Sequence, residues 1–199
     1  ACTSVAAQWL PFLIRVFQEK YPQVEFELLA GDYDEITEHI FRGKIDCGFL
    51  SEPVADGLSF QALYEDPMLV LLPEGHELAR EQVLTLAQLK KEPFILPMKG
   101  SDNDIQAVLR GGSKKVQVRY TLNDDFSVMS MVSHGFGITI MPELILKNFN
   151  LPLSTRPMDP PQHRLIGIAS PPRDRLSIVT KTFIRYLSEI TMEQYRRMC

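Results

Sequence analysis

The stretch VEFELLAGDYDEITEHIFRGKIDCGFL, residues 24–50, indicates the fold of this chain of 199 residues. Apolar residues alternate with glutamates over 24–28, which is the period-two pattern of a strand. Asp32 or Asp34 can cap the helix that follows, and a glycine closes it. The segment 45–50 is largely apolar and predicts a buried strand. A strand, a helix and a second strand in succession favour βαβ units and a parallel sheet.

The alternation of helices and strands continues on both sides of this stretch. Apolar residues at helical spacing over 5–17 predict a first helix, with Thr3 or Ser4 as its N-cap and Pro11 either at a kink or in the true first turn. Further strands are predicted at 68–72, 94–96, 116–121, 138–141, 151–155 and 165–169. Further helices are predicted at 85–89, from Ser101 or Asp102 to Gly111, from Asn123 or Asp124 to Gly135 and at 142–149, and a stiff turn is predicted at 157–161. The terminal helix has an apolar stripe made up of Leu176, Val179, Phe183, Leu187 and Ile190. Two rounds of alternation, separated near Pro73, predict two lobes joined by two crossing segments.

The bulk composition excludes several classes of protein. A net charge of -4 and an isoelectric point near 5.6 argue against a surface that grips nucleic acid, because phosphates require a basic patch. No apolar run approaches the roughly eighteen residues of a membrane span. Cys2, Cys47 and Cys199 are odd in number and far apart, which predicts no disulfide framework and suits a reducing cytoplasm. The chain starts without Met, which suggests a piece of a longer protein.

No pattern in the sequence indicates catalysis. It contains no Ser-His-Asp order, nucleophile elbow, P-loop or carboxylate pair with a clear partner. The four histidines lack metal-ligand spacing, and Gly135 and Gly137 fit a tight turn rather than a dinucleotide fingerprint. Cys47 lies in a predicted apolar strand, where it acts as a small hydrophobe rather than as a redox sensor. We therefore expect a binding protein that is not an enzyme, with no cofactor, no metal and no catalytic residue.

A series of short motifs runs through the whole chain in a fixed order. The motifs are Leu10-Pro11, FQEKYP at 17–22, Gly31-Asp32, RGKIDCGF at 42–49, PEGHELA at 73–79, LAQL at 86–89 and GFGITIMP at 135–142. Together they resemble the effector-binding domain of bacterial LysR-type transcriptional regulators, which has the fold of the type 2 periplasmic binding proteins. One departure is that Glu77 follows His76, where the family usually has proline.

The resemblance implies an α/β fold with two Rossmann-like lobes that have mixed, mostly parallel sheets. Predicted strands end near Pro73 and Ser170. Together with these ends, the resemblance predicts that lobe I comprises residues 1–72 and 171–199 and that lobe II comprises residues 73–170. A winged helix-turn-helix domain that binds DNA is implied on the N-terminal side, outside this chain.

The resemblance also implies a sensor that binds a small-molecule effector, expected to be anionic, in the cleft between the lobes. A homodimer or homotetramer in the cytoplasm is implied, with no membrane partner. The first helix carries Trp9, Phe12 and Phe17 on more than one side, which suggests that some of them face a partner. A secreted solute-binding protein of a transporter and a bilobal enzyme acting on a small carboxylate are the alternatives. The sequence does not identify the effector.

Candidate ligand-binding residues follow from where ligands bind in such folds. The carboxyl ends of parallel strands and the N-termini of helices present unpaired N–H groups, which favour anions. The candidates are Thr3, Ser4, Asp32 and Ser51 in the first lobe, and Met98, Lys99, Gly100, Ser101, Asn123 and Phe126 in the second.

Each candidate side chain also has a purely structural interpretation. Thr3 or Ser4 can be a plain N-cap, and Asp32 is expected mainly to cap its helix, although in the cleft it would favour an amine. The structural alternative is a surface turn for Ser51, solvent for Lys99 and a helix cap for Asn123. Phe126 is expected in the core rather than on the ligand, because apolar residues at helical spacing usually pack inward.

Overall fold

A computed structural model describes residues 1–98, 100, 103–110, 116–147, 150–190 and 194. The chain forms two compact units: unit 1 comprises Ala1–Glu65 and Leu165–Cys199, and unit 2 comprises Asp66–Arg164. The predicted boundaries lay a few residues later, at the carboxyl ends of the two strands that run from one unit into the other. Proline and serine mark where those strands end, whereas packing decides where a unit ends, and the packing changes partway along each strand.

The secondary structure alternates between helices and strands for most of the chain. In order, the elements are α1 (Thr3–Gln8), α2 (Leu10–Lys20), α3 (Tyr33–Phe41), β1 (Gly48–Ser51), β2 (Ser59–Pro73), a 3₁₀ turn (Glu77–Arg80), β3 (Leu84–Thr85), α4 (Leu86–Leu89), β4 (Pro93–Pro97), α5 (Asn103–Leu109), β5 (Gln117–Leu122), α6 (Asp125–Ser133), β6 (Thr139–Pro142), α7 (Glu143–Leu146), β7 (Leu153–Asp159), β8 (His163–Ser170), a 3₁₀ turn (Arg173–Arg175) and α8 (Ile178–Glu189). Among the described residues, no helix is both long and apolar enough to cross a bilayer.

The predicted first helix is two helices in the structure. The chain breaks at Trp9 between α1 and α2, and Pro11 lies in the first turn of α2, where its missing N–H costs nothing. Cys2 occupies the N-cap position of α1 and provides no side-chain cap. The prediction that Thr3 or Ser4 caps this helix is therefore wrong, because the helix begins at Thr3 itself and Ser4 lies buried inside the first turn.

Helix α3 has the ends that its sequence predicts. Asp32 is the N-cap, and it forms a capping box with Glu35 in which each side chain accepts a hydrogen bond from the other's backbone N–H. At the carboxyl end, Gly43 has φ +64°, its N–H donates to the carbonyl of Ile40, and the N–H of Lys44 donates to the carbonyl of His39. This pair of bonds is a Schellman motif, which requires a left-handed residue that glycine adopts without strain.

The strand predicted at 24–28 does not form. Residues 24–32 have no strand assignment, and 24–29 border a cavity of about 290 Å³ in unit 1 together with residues 44–49. The expected strand at 45–50 likewise shortens to β1, which pairs antiparallel with β8. Alternating polarity therefore marked a segment with one half-buried side, but a strand also needs a neighbour that supplies its backbone hydrogen bonds.

Aromatic side chains form the core of unit 1. Trp9 and Phe17 are buried, and the Trp9 ring meets Tyr64 and Phe49 edge-on at centroid distances of 5.4 and 6.3 Å. Phe17 packs in the same way against Phe183 of α8, at 5.2 Å. Of the three aromatic residues that the sequence offered to a partner, only Phe12 is exposed, at 37%.

The strands of unit 2 are mixed in direction. Strand β2 pairs antiparallel with β6 and β7, while β3 pairs parallel with β7 and β4 pairs parallel with β5. The α/β fold with mixed sheets is confirmed, but antiparallel pairs have a larger share among the described pairings than the expected mostly parallel sheets. The reason is that the two long strands, β2 and β8, pair antiparallel with neighbours, and helix-and-strand alternation alone does not reveal this.

Both faces of β2 are covered within unit 2. Met68, Val70 and Leu72 join one apolar cluster, and Leu71 joins another with Ile95 of β4. Residues 67–72 of this strand form the continuous apolar run that is typical of a strand buried on both sides.

Some predicted boundaries in the second half of the chain are wrong. The segment 157–161 is not a stiff turn at its start, because β7 continues to Asp159 and Pro157 pairs with Leu69 of β2. In α8, the buried residues are Thr180, Phe183 and Leu187, while Val179 of the predicted stripe is 49% exposed. The helix therefore packs on a stripe rotated from the predicted one.

Candidate functional site

Ser51 ends strand β1 and is the candidate whose surroundings are most unusual. It is 5% exposed, it lies opposite Ile166 of β8, and its hydroxyl oxygen has no hydrogen-bond partner among the described residues. The alternative that it lies in a surface turn is wrong. Leaving a buried hydroxyl without a partner costs about 1–3 kcal/mol.

Asp32 has the capping role that its position predicts. Its Oδ1 accepts a hydrogen bond from the Glu35 N–H at 2.8 Å, and its own N–H donates to the Glu35 carboxylate at 3.1 Å. The close approach depends on Gly31, because a Cβ there would lie 2.7 Å from the carboxylate oxygen of Glu35. The charge of the Asp32 carboxylate is already stabilised by the positive end of α3, so it does not need an amine as a partner.

Thr3 and Ser4 lie at the start of α1 in different surroundings. Thr3 is exposed, whereas Ser4 is 3% exposed and its hydroxyl lies 3.7 Å from the Cys2 sulfur. Neither Thr3 nor Ser4 is the N-cap of α1, because Cys2 occupies that position.

In unit 2, the ends of β4 and β5 bring two candidates to one edge. The strands are parallel and Pro97 pairs with Leu122, so Met98 and Asn123 are the first residues beyond the two strand ends. The Met98 N–H extends the ladder by donating to the Leu122 carbonyl at 2.8 Å. Met98 is 48% exposed and Asn123 is also exposed. This is the edge of a parallel pair at which ligands of α/β folds bind.

The start of α6 lies at the same edge. Asp124 is the N-cap and accepts from the Ser127 N–H at 2.8 Å and from the Ser127 hydroxyl at 2.7 Å, and these bonds lower the pKa of the Asp124 carboxyl. Asn123 is therefore free of the capping role. The expectation that Phe126 fills the core is wrong, because its side chain is 54% exposed.

Two candidates of the second unit, Lys99 and Ser101, lie outside the described residues. Gly100 between them is buried and has φ +103°, a conformation that residues with a side chain rarely adopt. The predicted cleft between the lobes stays a prediction. For a metal, the described part of the chain contains no group of three or more potential ligands.

Sequence reasoning missed a buried ionic network in unit 2. Asp66 is fully buried, and its carboxylate accepts from the Arg164 guanidinium at 2.7 and 2.9 Å and from the Leu144 N–H at 2.9 Å. Arg164 also donates to Asp104 at 3.2 Å. Burial raises the pKa of the Asp66 carboxyl, while Arg164 and the Leu144 N–H act in the opposite direction.

The signal for this network was present in the sequence. Asp66 and Arg164 are charged residues within strands that are otherwise largely apolar, and buried charges need partners. Asp125 at the start of α6 lies near the same arginine, and burial raises the pKa of its carboxyl while Arg164 lowers it. The separation of 98 residues between Asp66 and Arg164 is what concealed the pair.

The thiol of Cys47 gives a testable consequence of burial. Desolvation and the neighbouring Asp46 raise the pKa of Cys47 to about 12, so the reactive thiolate is scarce at neutral pH. In a variant with Cys2 and Cys199 replaced by serine, we expect Cys47 to react with a disulfide reagent at pH 8 at least about tenfold more slowly than in the same chain unfolded in urea. Equal rates in the folded and unfolded chains would contradict this expectation.

Comparison with known proteins is consistent with this architecture. The model of the family described as the LysR substrate binding domain matches residues 1–191. The HTH-type transcriptional regulator YvbU of Bacillus subtilis, itself uncharacterised, is 29% identical over 190 residues, which cover 94% of this chain and 65% of the relative. The transcriptional dual regulator GltC of the same organism is 28% identical, over 98% of this chain and 67% of the relative. The chain thus spans about two thirds of the length of these relatives.

Solved structures have the same fold. The regulatory domain of CcmR from Synechocystis, in complex with 2-PG, superposes with a TM-score of 0.86 at 25% identity, covering 96% of this chain and 94% of that domain. The effector-binding domain of QuiR in complex with shikimate has a TM-score of 0.83 at 20% identity, over 96% of this chain and 95% of that one, and shows the fold alone. With a family model that spans nearly the whole sequence, the chain belongs to the LysR substrate-binding domain family.

Proposed function

We propose that this effector-binding domain senses a small anionic metabolite and that Ser51 donates a hydrogen bond to it. The observation that carries the proposal is the buried Ser51 hydroxyl without a partner at the end of β1. An anion that accepts this hydrogen bond removes the cost of the unsatisfied group. A hydrogen bond to a charged group contributes about 1.5–3 kcal/mol, so the hydroxyl adds selectivity for anions.

The other candidates support the same proposal to different degrees. Thr3 and Ser4 are not needed as caps, and Met98, Asn123 and Phe126 are exposed around one strand edge although two of the three are apolar. Exposed apolar side chains beside a polar amide suit a ligand with an apolar body and a polar group. Lys99, Gly100 and Ser101 complete the proposed set, whereas Asp32 keeps its capping role.

The similarity to CcmR supports an anion as the ligand class. The CcmR domain is in complex with 2-PG, and 2-phosphoglycolate is an anion with a carboxylate and a phosphate. This ligand belongs to CcmR, and for the present chain it is a probe of the proposed class.

The proposed output is a change in DNA binding by the complete protein. The relatives are HTH-type regulators of which this chain covers about two thirds, so a DNA-binding domain is proposed outside it. An effector that binds one conformation of the protein more tightly than another shifts the population towards the conformation that it prefers. We propose a homodimer or homotetramer in the cytoplasm, with the exposed Phe12 of α2 and Leu28, at 56%, as apolar groups that face a second subunit.

The two alternative functions are less well supported. The family match is to a regulator domain, so the chain is not an enzyme. A secreted solute-binding protein would occur without a DNA-binding domain, unlike the regulators to which the chain is similar. Reading the complete coding sequence distinguishes these two.

The test compares Ser51→Ala with the parent chain in thermal melts. Without ligand, we expect S51A to be at least as stable as the parent, because the substitution removes a buried hydroxyl that has no partner. With 2-phosphoglycolate as the probe, the parent is stabilised by about 2.7 kcal/mol at a hundred times Kd. We expect S51A to bind at least about tenfold more weakly, which corresponds to about 1.4 kcal/mol.

The control is Ser133→Ala in α6, whose hydroxyl donates to the carbonyl of Ser130 in its own helix. It is expected to bind the probe like the parent. If S51A binds 2-phosphoglycolate as tightly as the parent does, the proposed role of Ser51 is wrong. If no small anion in a panel that includes inorganic phosphate and shikimate stabilises the parent, the proposed ligand class is wrong.

A further inference from the structure

A second pocket in unit 1 carries an unusual set of charges. It has a volume of about 400 Å³ and is lined by residues of β2, β8, the second 3₁₀ turn and α8. All three of its titratable side chains are cations: Arg173, Lys181 and Arg185. The proposed effector contact Ser51 is absent from its lining, which is made up of Ser59, Phe60, Gln61, Ile168, Ser170, Arg173, Leu176, Lys181, Ile184, Arg185 and Ser188.

The spacing of residues in α8 explains why its cations converge. Lys181 and Arg185 are four residues apart, and Ile184 and Ser188 continue the same helix face at i+3 and i+7. Across the pocket, β2 contributes the polar side chains of Ser59 and Gln61, and Arg173 comes from the 3₁₀ turn that precedes the helix. The cations therefore come from two elements and surround a hollow that also holds neutral hydrogen-bonding groups.

These cations form no ion pair among the described residues, although Asp174 and Glu189 are close to them in sequence. None of the described ion pairs involves Arg173, Lys181 or Arg185, whereas Arg42 pairs with Glu38 and Arg164 with Asp66. Two like charges at positions i and i+4 of a helix repel one another. In a chain of net charge -4, three neighbouring cations without an acidic residue in the same pocket are an arrangement that an anion would stabilise.

We propose that this pocket is a second anion site, which binds a small molecule with two or more negative charges spread over oxygen atoms. The volume lies within the range of about 300–1,000 Å³ that is usual for small-molecule sites. Guanidinium groups recognise phosphate and carboxylate oxygens through paired hydrogen bonds, and the lysine adds a point charge. A phosphate ester and a di- or tricarboxylate share this chemistry. The site is independent of Ser51 and does not rest on the proposed effector function.

The test titrates inorganic phosphate and, separately, citrate into the chain in a zwitterionic buffer and measures the heat of binding. We expect R173Q/K181Q/R185Q, made in an S51A background so that the proposed effector site contributes little heat, to lose at least about tenfold in affinity for the preferred anion relative to S51A alone. Which of the two anions binds more tightly tells a phosphate site from a carboxylate site. Arg185→Lys keeps the charge but loses the paired hydrogen bonds of the guanidinium, so it is expected to weaken binding less than the triple variant does, and the difference between the two reports on charge.

A matched control removes the same number of charges elsewhere. Arg80, Lys91 and Arg110 are exposed cations of unit 2, and R80Q/K91Q/R110Q is expected to bind both anions like the parent. The proposal is overturned if the triple variant of the pocket binds as tightly as the parent, or if the control variant weakens binding to the same extent. It is also overturned if duplex DNA competes for these cations while neither small anion binds, because the surface would then contact nucleic acid.

Discussion

Replacement of Arg164 by alanine is expected to destabilise the chain by about 3–5 kcal/mol at pH 7. Arg164 is 8% exposed, and its guanidinium contacts both the fully buried Asp66 and Asp104. Without the arginine, the Asp66 carboxylate keeps only the Leu144 N–H as a described partner. A buried charge with a single neutral donor is poorly compensated, and this is the source of the large effect.

The loss is expected to depend on pH with a definite sign. Removing Arg164 removes the main attraction that opposes burial, so the pKa of Asp66 in the folded variant rises further above its ordinary range. A carboxyl whose pKa is raised by folding destabilises the folded state once the unfolded chain ionises. The difference between R164A and the parent should therefore shrink as the pH falls from 7 towards the ordinary pKa of an aspartate. Urea denaturation at several pH values measures it.

Two further variants make this prediction specific. Arg42→Ala removes a surface pair with Glu38, in which both side chains are more than half exposed, and should cost no more than about 0.5 kcal/mol. Asp66→Asn with Arg164→Met removes both charges and keeps an oxygen that can accept from Leu144. We expect this double variant to be more stable than R164A, because no uncompensated charge stays buried at that pair. A loss of less than about 1 kcal/mol in R164A would contradict the role assigned to the network.

The second large effect is expected for Trp9→Ala, which should cost about 3–5 kcal/mol. Trp9 is fully buried at the junction of α1 and α2, and its ring meets Tyr64 and Phe49 edge-on. Edge-to-face pairs of this kind add about 0.5–1.5 kcal/mol each to the free energy gained from burial. Because alanine leaves a cavity between three segments of unit 1, relaxation can recover little of the loss.

Phe12→Ala in the neighbouring helix is the matched control. Phe12 is 37% exposed, and its replacement is expected to cost clearly less than that of Trp9. Trp9 is the single tryptophan of the chain, so circular dichroism in urea must follow W9A, while fluorescence also serves for the parent and for F12A. Equal losses in the two variants would show that the aromatic core of unit 1 is not centred on Trp9.

Local signals predicted the local structure well. The ends of α3 depend on Asp32, Glu35 and Gly43, which are close enough in sequence to form their hydrogen bonds within one turn of the chain. Thr85 and Gln88 form a second capping box at α4 for the same reason. Side-chain caps and left-handed glycines act over three or four residues, so the sequence alone reveals them.

The errors in the predicted site have a different origin. Phe126 has helical spacing with Met129 and Val132, yet those two are buried and Phe126 is 54% exposed. Ser51 gave no sign of lying buried without a partner, since this depends on what packs around β1. Spacing predicts which side chains share a face, but not how far the opposing surface reaches.

The sequence by itself determined the α/β class, the family and most helix ends, because each rests on the order of motifs or on contacts between residues near one another in the chain. Only the tertiary structure decided the antiparallel pairing of β2 with β6 and of β8 with β1, the pairing of Asp66 with Arg164, and the convergence of Arg173, Lys181 and Arg185 on one pocket. These features join residues of distant segments or depend on a helix face opposing a strand. Backbone hydrogen bonds and charge pairs act at a few ångströms, so they form only where folding has brought such segments together.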